Sequence, residues 1–434
     1  MKRYNDYKDS GIEWLGNIPK HWETFRFIDN VKLRHGYQFR DYDFTDEGIR
    51  VVKISQLDPK GNLNLTKSSF IASNRLKSFK SIRIYQDDIL MALTGGTIGK
   101  IIRVGKISEP LLQNYRVGNF FPDKKKLNKT FLYFLLASQF TEEQINYLLN
   151  RNGQPNIGKE SFKNMFFTLP PLKEQTQLAN YLDAKTTSID KKIKLLKQKI
   201  KHYKAYSKSL INETVTKGLD KTVKLKDSGI DWIGEIPDHW EVKRNKDLFT
   251  ERGEKAYTKI YDLLSVSEYY GVARREEKIK EDQVLVRAES LDDYKVCKID
   301  DLVINIMLAW KKGLGVSKYD GLVSPAYGVF KRKLELFPVY YHYLFRTDLY
   351  TAEFKRNSRG IIESRLRLYP DKFFSISSIF PPLKEQQQIA DFLDAKTTTI
   401  DNIVNNLEIQ ITTLKELRKT LINEVVTGKV KVTT

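Results

Sequence analysis

The six residues Gly95-Gly96-Thr97-Ile98-Gly99-Lys100 come nearest to a catalytic signature in this chain. A phosphate-binding loop needs four residues between its first glycine and the Gly-Lys pair, followed by a Ser or Thr that binds magnesium. Here three residues intervene and Ile101 follows, so the segment is expected to be a tight turn leading into a strand. The acid pairs Asp87-Asp88, Asp292-Asp293 and Asp300-Asp301 have no lysine or histidine at a fixed spacing and suit turns or caps better than a metal pair. Cys297 is the one cysteine, which excludes an internal disulfide and a cysteine-rich zinc site, and the five histidines (His21, His35, His202, His239, His342) lack ligand spacing. No G-x-S-x-G elbow and no strand-borne G-x-G-x-x-G is present. The chain is expected to be non-catalytic and to bind no metal or cofactor itself.

Binding chemistry is easier to place. Arg151-Asn152-Gly153-Gln154-Pro155-Asn156 and Lys355-Arg356-Asn357-Ser358-Arg359-Gly360 are polar, basic loops, and Arg, Asn and Gln can read base edges while glycine lets a backbone N–H approach phosphate. The candidate DNA-contacting residues are therefore Arg151, Asn152 and Gln154 in the first loop and Arg356, Asn357 and Arg359 in the second. Thr94, Thr97 and Lys100 of the glycine turn, and Trp310-Lys311-Lys312 before Gly313, are added to them. The alternative for all of these is ordinary exposed loop. Net charge supports a polyanionic partner: 74 Lys and Arg face 54 Asp and Glu, giving +20 and a pI near 9.5. Neither a signal core nor a long apolar span occurs, so a cytoplasmic protein with no membrane contact is expected.

The elements that must carry these loops repeat. Lys8-Asp9-Ser10-Gly11-Ile12-Glu13-Trp14-Leu15-Gly16-Asn17-Ile18-Pro19-Lys20-His21-Trp22-Glu23 returns 218 positions later as Lys226 through Glu241, and Pro170-Pro171-Leu172-Lys173-Glu174-Gln175 returns after 211 as Pro381 through Gln386. Such a period is far too long for a solenoid and indicates two like-folded domains, each followed by a helical element. The stretches between the repeats, 24–165 and 242–376, show little likeness to each other. Both have short β-like runs and end in an aromatic helix candidate, Phe131–Leu136 and Tyr340–Phe345, whose rings are read as core. The class is α+β.

A heptad seam runs through each helical element. Ile189, Ile193, Leu196, Ile200, Tyr203, Ser207 and Leu210 step by 4 and 3, and so do Ile400, Val404, Leu407, Ile411, Leu414, Arg418 and Leu421. The two seams are expected to pair as an antiparallel intramolecular coiled coil about a pseudo-twofold axis, with Gly218 and Gly428 ending the helices. The first is far more basic: residues 185–224 hold 12 lysines against 3 acids. The expected organisation is a lead-in segment 1–23, a domain 24–165, a helical region 166–224, a second lead-in 225–241, a domain 242–376 and a helical region 377–434.

Taken together, the paired Leu169/Phe380-Pro-Pro-Leu-Lys-Glu-Gln starts, the segments Trp14–Trp22 and Trp232–Trp240, and the run Ile304–Ala309 leading to Val323-Ser324-Pro325-Ala326-Tyr327 resemble the specificity subunit of a Type I restriction-modification system. The resemblance covers essentially the full length. It implies two target recognition domains that each read half of a split double-stranded DNA site, held apart by the two helical regions. The geometry agrees: helices of about 22–30 residues span roughly 33–45 Å, comparable to one turn of DNA. The resemblance also implies two docked modification subunits, which carry S-adenosylmethionine and methylate adenine, and restriction subunits that use ATP and magnesium. A DNA-binding adaptor or orphan specificity chain with a regulatory role is the alternative reading.

Overall fold

The computed structural model describes residues 2–58, 63–152, 156–255, 262–276, 291 and 293–432, with 150–152 described by their backbone only. The chain forms two compact units that do not follow chain order: Met1–Leu196 joins Glu408–Thr434, and Lys197–Leu407 forms the other.

Each unit is built on a four-stranded antiparallel sheet with the same strand order, despite the unlike sequences. In the first unit Ile101–Arg103, Ile89–Ala92, Val117–Pro122 and Val31–His35 lie side by side. In the second the order is Leu314–Val316, Leu302–Asn305, Tyr327–Arg332 and Phe249–Glu251. Ile89–Ala92 and Leu302–Asn305 are buried at every position, as strands covered on both faces must be. One cover is the aromatic helix, Lys129–Leu136 or Pro338–Phe345. Most of its rings are core, as expected: Phe131, Phe134, Tyr340, Tyr341 and Phe345 are all at most 1% exposed, while Tyr133 and Tyr343 are half-buried. Asn128 caps the first helix by accepting from the N–H groups of Thr130 and Phe131, while Pro338 opens the second. The first unit adds a five-stranded sheet in which Ile49–Val52 and Leu111–Gln113 pair in parallel; the second adds two separate hairpin-sized pairs. With helices packed on largely antiparallel sheets, the class is α+β.

A strand leads out of each domain into a long helix. Phe166–Leu169 pairs with Glu23–Arg26, and Ser377–Phe380 with Glu241–Arg244; the two prolines then end the ladder, and helices run over Leu172–Lys217 and Leu383–Val426. These helices have 46 and 44 residues, about 69 and 66 Å, well beyond the 22–30 expected. The difference lies in the first turns. The run Leu182-Asp183-Ala184-Lys185-Thr186-Thr187 is helical from end to end, and within the helix Thr186 donates its hydroxyl to the Leu182 carbonyl at 2.7 Å, as Thr397 does to Leu393.

The two helices form the antiparallel coiled coil through the expected seam. In the first unit Ile193, Ile411 and Leu421 are buried and Leu414 is half-buried. Arg418, the polar seam position, reaches Asp190 at 3.2 Å. In the second unit Ile400, Val404 and Leu407 are buried, and Ile200, Tyr203 and Leu210 are half-buried.

The repeated motifs are welds. Trp22 and Trp240 are fully buried at the end of each lead-in hairpin. Trp22 packs on Gly428, which ends the second long helix with φ +75°, and Trp240 packs on Gly218, which ends the first with φ +76°. Glu174 accepts from Tyr4 at 2.6 Å and lies 2.8 Å from His21 Nε2. Glu385 lies 2.6 Å from His239 Nε2 and accepts from the Trp240 indole at 3.0 Å. The Glu385 hydrogen bond raises the His239 pKa. Gln175 accepts from Asn128 N–H and donates to the Lys126 and Pro170 carbonyls, and Gln386 accepts from Phe337 N–H and donates to Pro381. The second unit receives its helix end along the continuous chain, from Gly218 to Leu225. The first receives it from the far end of the sequence, where Lys431 N–H donates to the Lys2 carbonyl at 2.9 Å.

Two outcomes follow from this packing. A Cβ at Gly428 would stand 2.3 Å from Pro19 Cδ and 3.0 Å from Trp22, whereas at Gly218 the nearest atom is Trp240 Cζ2 at 3.2 Å. Both positions also carry the left-handed backbone penalty. Chemical denaturation is expected to show Gly218→Ala costing about 1 kcal/mol and Gly428→Ala about 2–3 kcal/mol. The second outcome concerns His342, half-buried in the aromatic helix, where its Nδ1 accepts from Val316 N–H at 3.3 Å; desolvation of the ring, helped by Arg346 and Lys318, pushes its pKa down to about 3. The unfolded chain then binds a proton that the folded chain refuses. Stability is full above about pH 6.5 and falls by roughly 1.4 kcal/mol per pH unit on acidification toward pH 3. Stability curves of His342→Gln are expected to lack that part of the acid loss.

Candidate nucleic-acid interface

In the first unit, the strand Ile89–Ala92 turns back through residues 93–100. Gly99 N–H donates to the Ala92 carbonyl at 3.0 Å and Ala92 N–H to Lys100 at 2.9 Å, with φ of +74° at Gly95 and +79° at Gly99 closing the loop. A short 3-10 turn and then the strand Ile101–Arg103 follow, so the segment is a turn before a strand and not a phosphate loop before a helix. The tertiary fold brings it against the other candidate loop. Ile157 N–H donates to the Leu93 carbonyl at 2.9 Å, and Thr94 forms a bridge with Asn156. Among the described residues the Thr94 and Thr97 hydroxyls are buried and lack a hydrogen-bond partner, an arrangement that costs free energy unless a ligand or water supplies one. Lys100 is half-buried beside them. Arg151 and Asn152 close the helix Gln139–Asn152, and Gln154 lies outside the described residues.

The second unit repeats the arrangement with other side chains. Leu368 N–H donates to the Ile306 carbonyl at 2.9 Å, matching the Ile157–Leu93 contact one repeat earlier. The turn after Leu302–Asn305 carries Trp310, whose indole donates to the Met307 carbonyl at 3.2 Å. Its half-buried ring takes two cations, Lys311 at 4.7 Å and Lys355 at 5.1 Å from the centroid. Lys312 has φ +67° and reaches Asp348 at 2.9 Å. Arg356 and Asn357 are held by the buried Glu353, at 2.8 and 2.7 Å, and Arg359 by Asp371 at 2.9 Å. Thus the turn and the loop meet in each unit, but in the second the arginines and asparagine are already engaged with carboxylates.

Sequence reading missed two neighbours of this second site. Arg346 is largely buried, and it donates to the Lys312 and Leu314 carbonyls and to Glu268 and Tyr269, tying the Trp310 turn to a hairpin tip. Desolvation lowers its pKa. At that tip Tyr269 is 83% exposed. Beyond Arg359, which exchanges backbone hydrogen bonds with Arg367, the loop projects Ile361 fully into solvent. An aromatic pair before a glycine, Tyr269-Tyr270-Gly271, was the available signal for the first; the second had none.

The acid pairs are structural. Asp87 and Asp300 take left-handed turns before equivalent strands. Asp88, nearly buried, accepts from Asn119 at 2.7 Å and faces Lys129 at 3.5 Å, and Asp301 binds Arg252 through both oxygens at 2.6 and 3.1 Å. Asp293 meets Lys255 at 2.9 Å, and Asp292 lies outside the described residues. Burial pushes the Cys297 thiol up to about 12, which leaves it unreactive. Among the described residues no cluster of three His, Cys, Asp or Glu side chains is placed to hold a metal ion, and no helix is long and apolar enough to cross a membrane.

Comparison with known proteins agrees with this architecture. Residues 19–202 and 237–413 match the Type I restriction modification DNA specificity domain. The MjaVIII specificity subunit of Methanocaldococcus jannaschii is 28% identical over 205 residues, 46% of this chain and 47% of that protein, so the match spans about half of that relative. The putative MjaX specificity subunit from the same organism is 24% identical over 97% of this chain and 96% of its own length, and the EcoBI specificity subunit of Escherichia coli is 22% identical over 94% and 86%. Among solved structures, a chain from a study of type I R-M system assembly and conformational transition superposes with a TM-score of 0.68 at 15% identity, covering 95% of this chain and 99% of that one. The HsdS subunit of Thermoanaerobacter tengcongensis gives 0.54 at 16%, covering 95% and 98%. The chain therefore belongs to the Type I restriction modification DNA specificity family.

Proposed function

We propose that each unit reads one half of a split DNA site, through the glycine turn with the 151–156 loop in the first and through the Trp310 turn with the 355–367 loop in the second. One observation carries this reading. At the same place on the same four-stranded sheet, the two units present paired loops of different sequence, while the motifs that weld them are repeated nearly unchanged. Different loops on equal frames are what two unlike half-sites require. The first site offers orphaned threonine hydroxyls and a lysine; the second offers a cation-flanked indole and lysines.

On this reading two modification subunits dock on the chain, bring S-adenosylmethionine and methylate adenine; restriction subunits that use ATP and magnesium join them. The paired long helices set the number of unread base pairs. The chain supplies the address and its partners the chemistry.

Co-expression with the cognate modification subunit, followed by methyladenine mapping in a host without other methyltransferases, is expected to return a two-part motif with a spacer of constant length. A stable complex that adds no methylation would instead favour a regulatory adaptor. Inserting seven residues after Leu196 and seven after Leu407 adds about 10.5 Å to each helix, and the mapped spacer is expected to grow by about three base pairs at 3.4 Å each, with both half-sites retained. An unchanged spacer would remove the helices from that role.

A further inference from the structure

The first long helix carries a row of five lysines beside its packing seam. Lys194, Lys197, Lys201, Lys204 and Lys208 step by 3, 4, 3 and 4, each one residue after a seam position, Ile193, Leu196, Ile200, Tyr203 and Ser207. They therefore form a single stripe flanking the seam, about 21 Å long, and all five are exposed. Lys208 pairs with Asp348. Among the described residues no carboxylate stands within ion-pair distance of Lys194, Lys197 or Lys201. Like charges at this spacing repel and weaken a helix, so an external anion would favour Lys194, Lys197 and Lys201.

Two features select the occupant. The first is charge density: a DNA duplex presents one phosphate charge per roughly 1.7 Å of axis, about twelve over the length of the row. The second is asymmetry. The matching positions of the second long helix are Asn405, Glu408, Thr412, Lys415 and Lys419, a net charge of +1 against +5. A protein that docks in two equivalent copies would meet like surfaces on both helices, and this surface occurs on one only. Lysine, a mobile point charge, suits phosphates met without fixed register.

We propose that this lysine row lies along the sugar-phosphate backbone of the DNA that the chain binds and adds sequence-independent affinity there; the proposal rests on the DNA-reading function above. The test uses the complex with the modification subunit and compares wild type with a Lys194→Gln, Lys197→Gln, Lys201→Gln variant, a change that is nearly neutral for helix propensity. Binding is measured against salt concentration on a duplex with the methylated motif and on a scrambled one. The slope of log K on log salt is expected to fall by about 2.7, near 0.9 per lysine, on both duplexes, with the ratio between them unchanged. An unchanged slope overturns the proposal. So does an unchanged slope accompanied by loss of the modification subunit in gel filtration, which would assign the row to an acidic protein surface. A wild-type complex that does not distinguish the two duplexes would instead count against the DNA-reading function, while the slope on the scrambled duplex still decides the lysine row.

Discussion

Two buried tryptophans seated on the glycines that end the long helices are the contact on which each unit closes. Trp22 lies against Gly428 and Trp240 against Gly218, and in both places the left-handed glycine lets the helix stop where a side chain would collide with the indole or its neighbouring proline. Around each indole the same partners recur: a histidine on a helix-start glutamate, and a buried glutamine that satisfies backbone groups a strand alone would leave open. Leaving such groups unpaired costs about 1–3 kcal/mol each, a physical reason for these residues to be spelled alike in both halves.

The welds account for how the rest can differ. Once the lead-in hairpin, the outgoing strand and the helix start are joined, the four-stranded sheet needs only apolar central strands and an aromatic helix to cover them. Ile-Leu-Met-Ala and Leu-Val-Ile-Asn meet that need equally well. Sequence freedom is then concentrated at the turns, where Thr94 and Thr97 stand in one unit and Trp310 with its lysines in the other. The copies differ even at the weld: Glu174 binds Tyr4 and leaves the Trp22 indole unpaired, whereas Glu385 takes the Trp240 indole.

Much of the frame was legible in the sequence because it rests on local signals. Pro-Pro starts, glycine ends and a 3–4 seam need only neighbours along the chain to be read, and the strand after Gly95–Lys100 followed from one missing residue in a phosphate-loop pattern. The lengths of the helices were not legible in the seam alone, since Ile189 to Leu210 and Ile400 to Leu421 cover only part of helices that run from the Pro-Pro starts to the glycine ends. Nor was the composition of the units, because Lys431 finds Lys2 only in three dimensions. At the candidate sites the residue types were visible but their commitments were not. Arg356 and Asn357 looked free to read bases, yet Glu353, four or fewer residues away and buried, holds both.

The most direct test of the account is to exchange residues 242–376 for the corresponding segment of a relative with a different methylation motif, leaving both sets of welds intact, and to map methyladenine made by the resulting complex. The account predicts that one half of the motif changes to that of the donor while the other half and the spacer length stay as they were. A change in both halves, or an unaltered motif from a complex that still assembles and methylates, would contradict it.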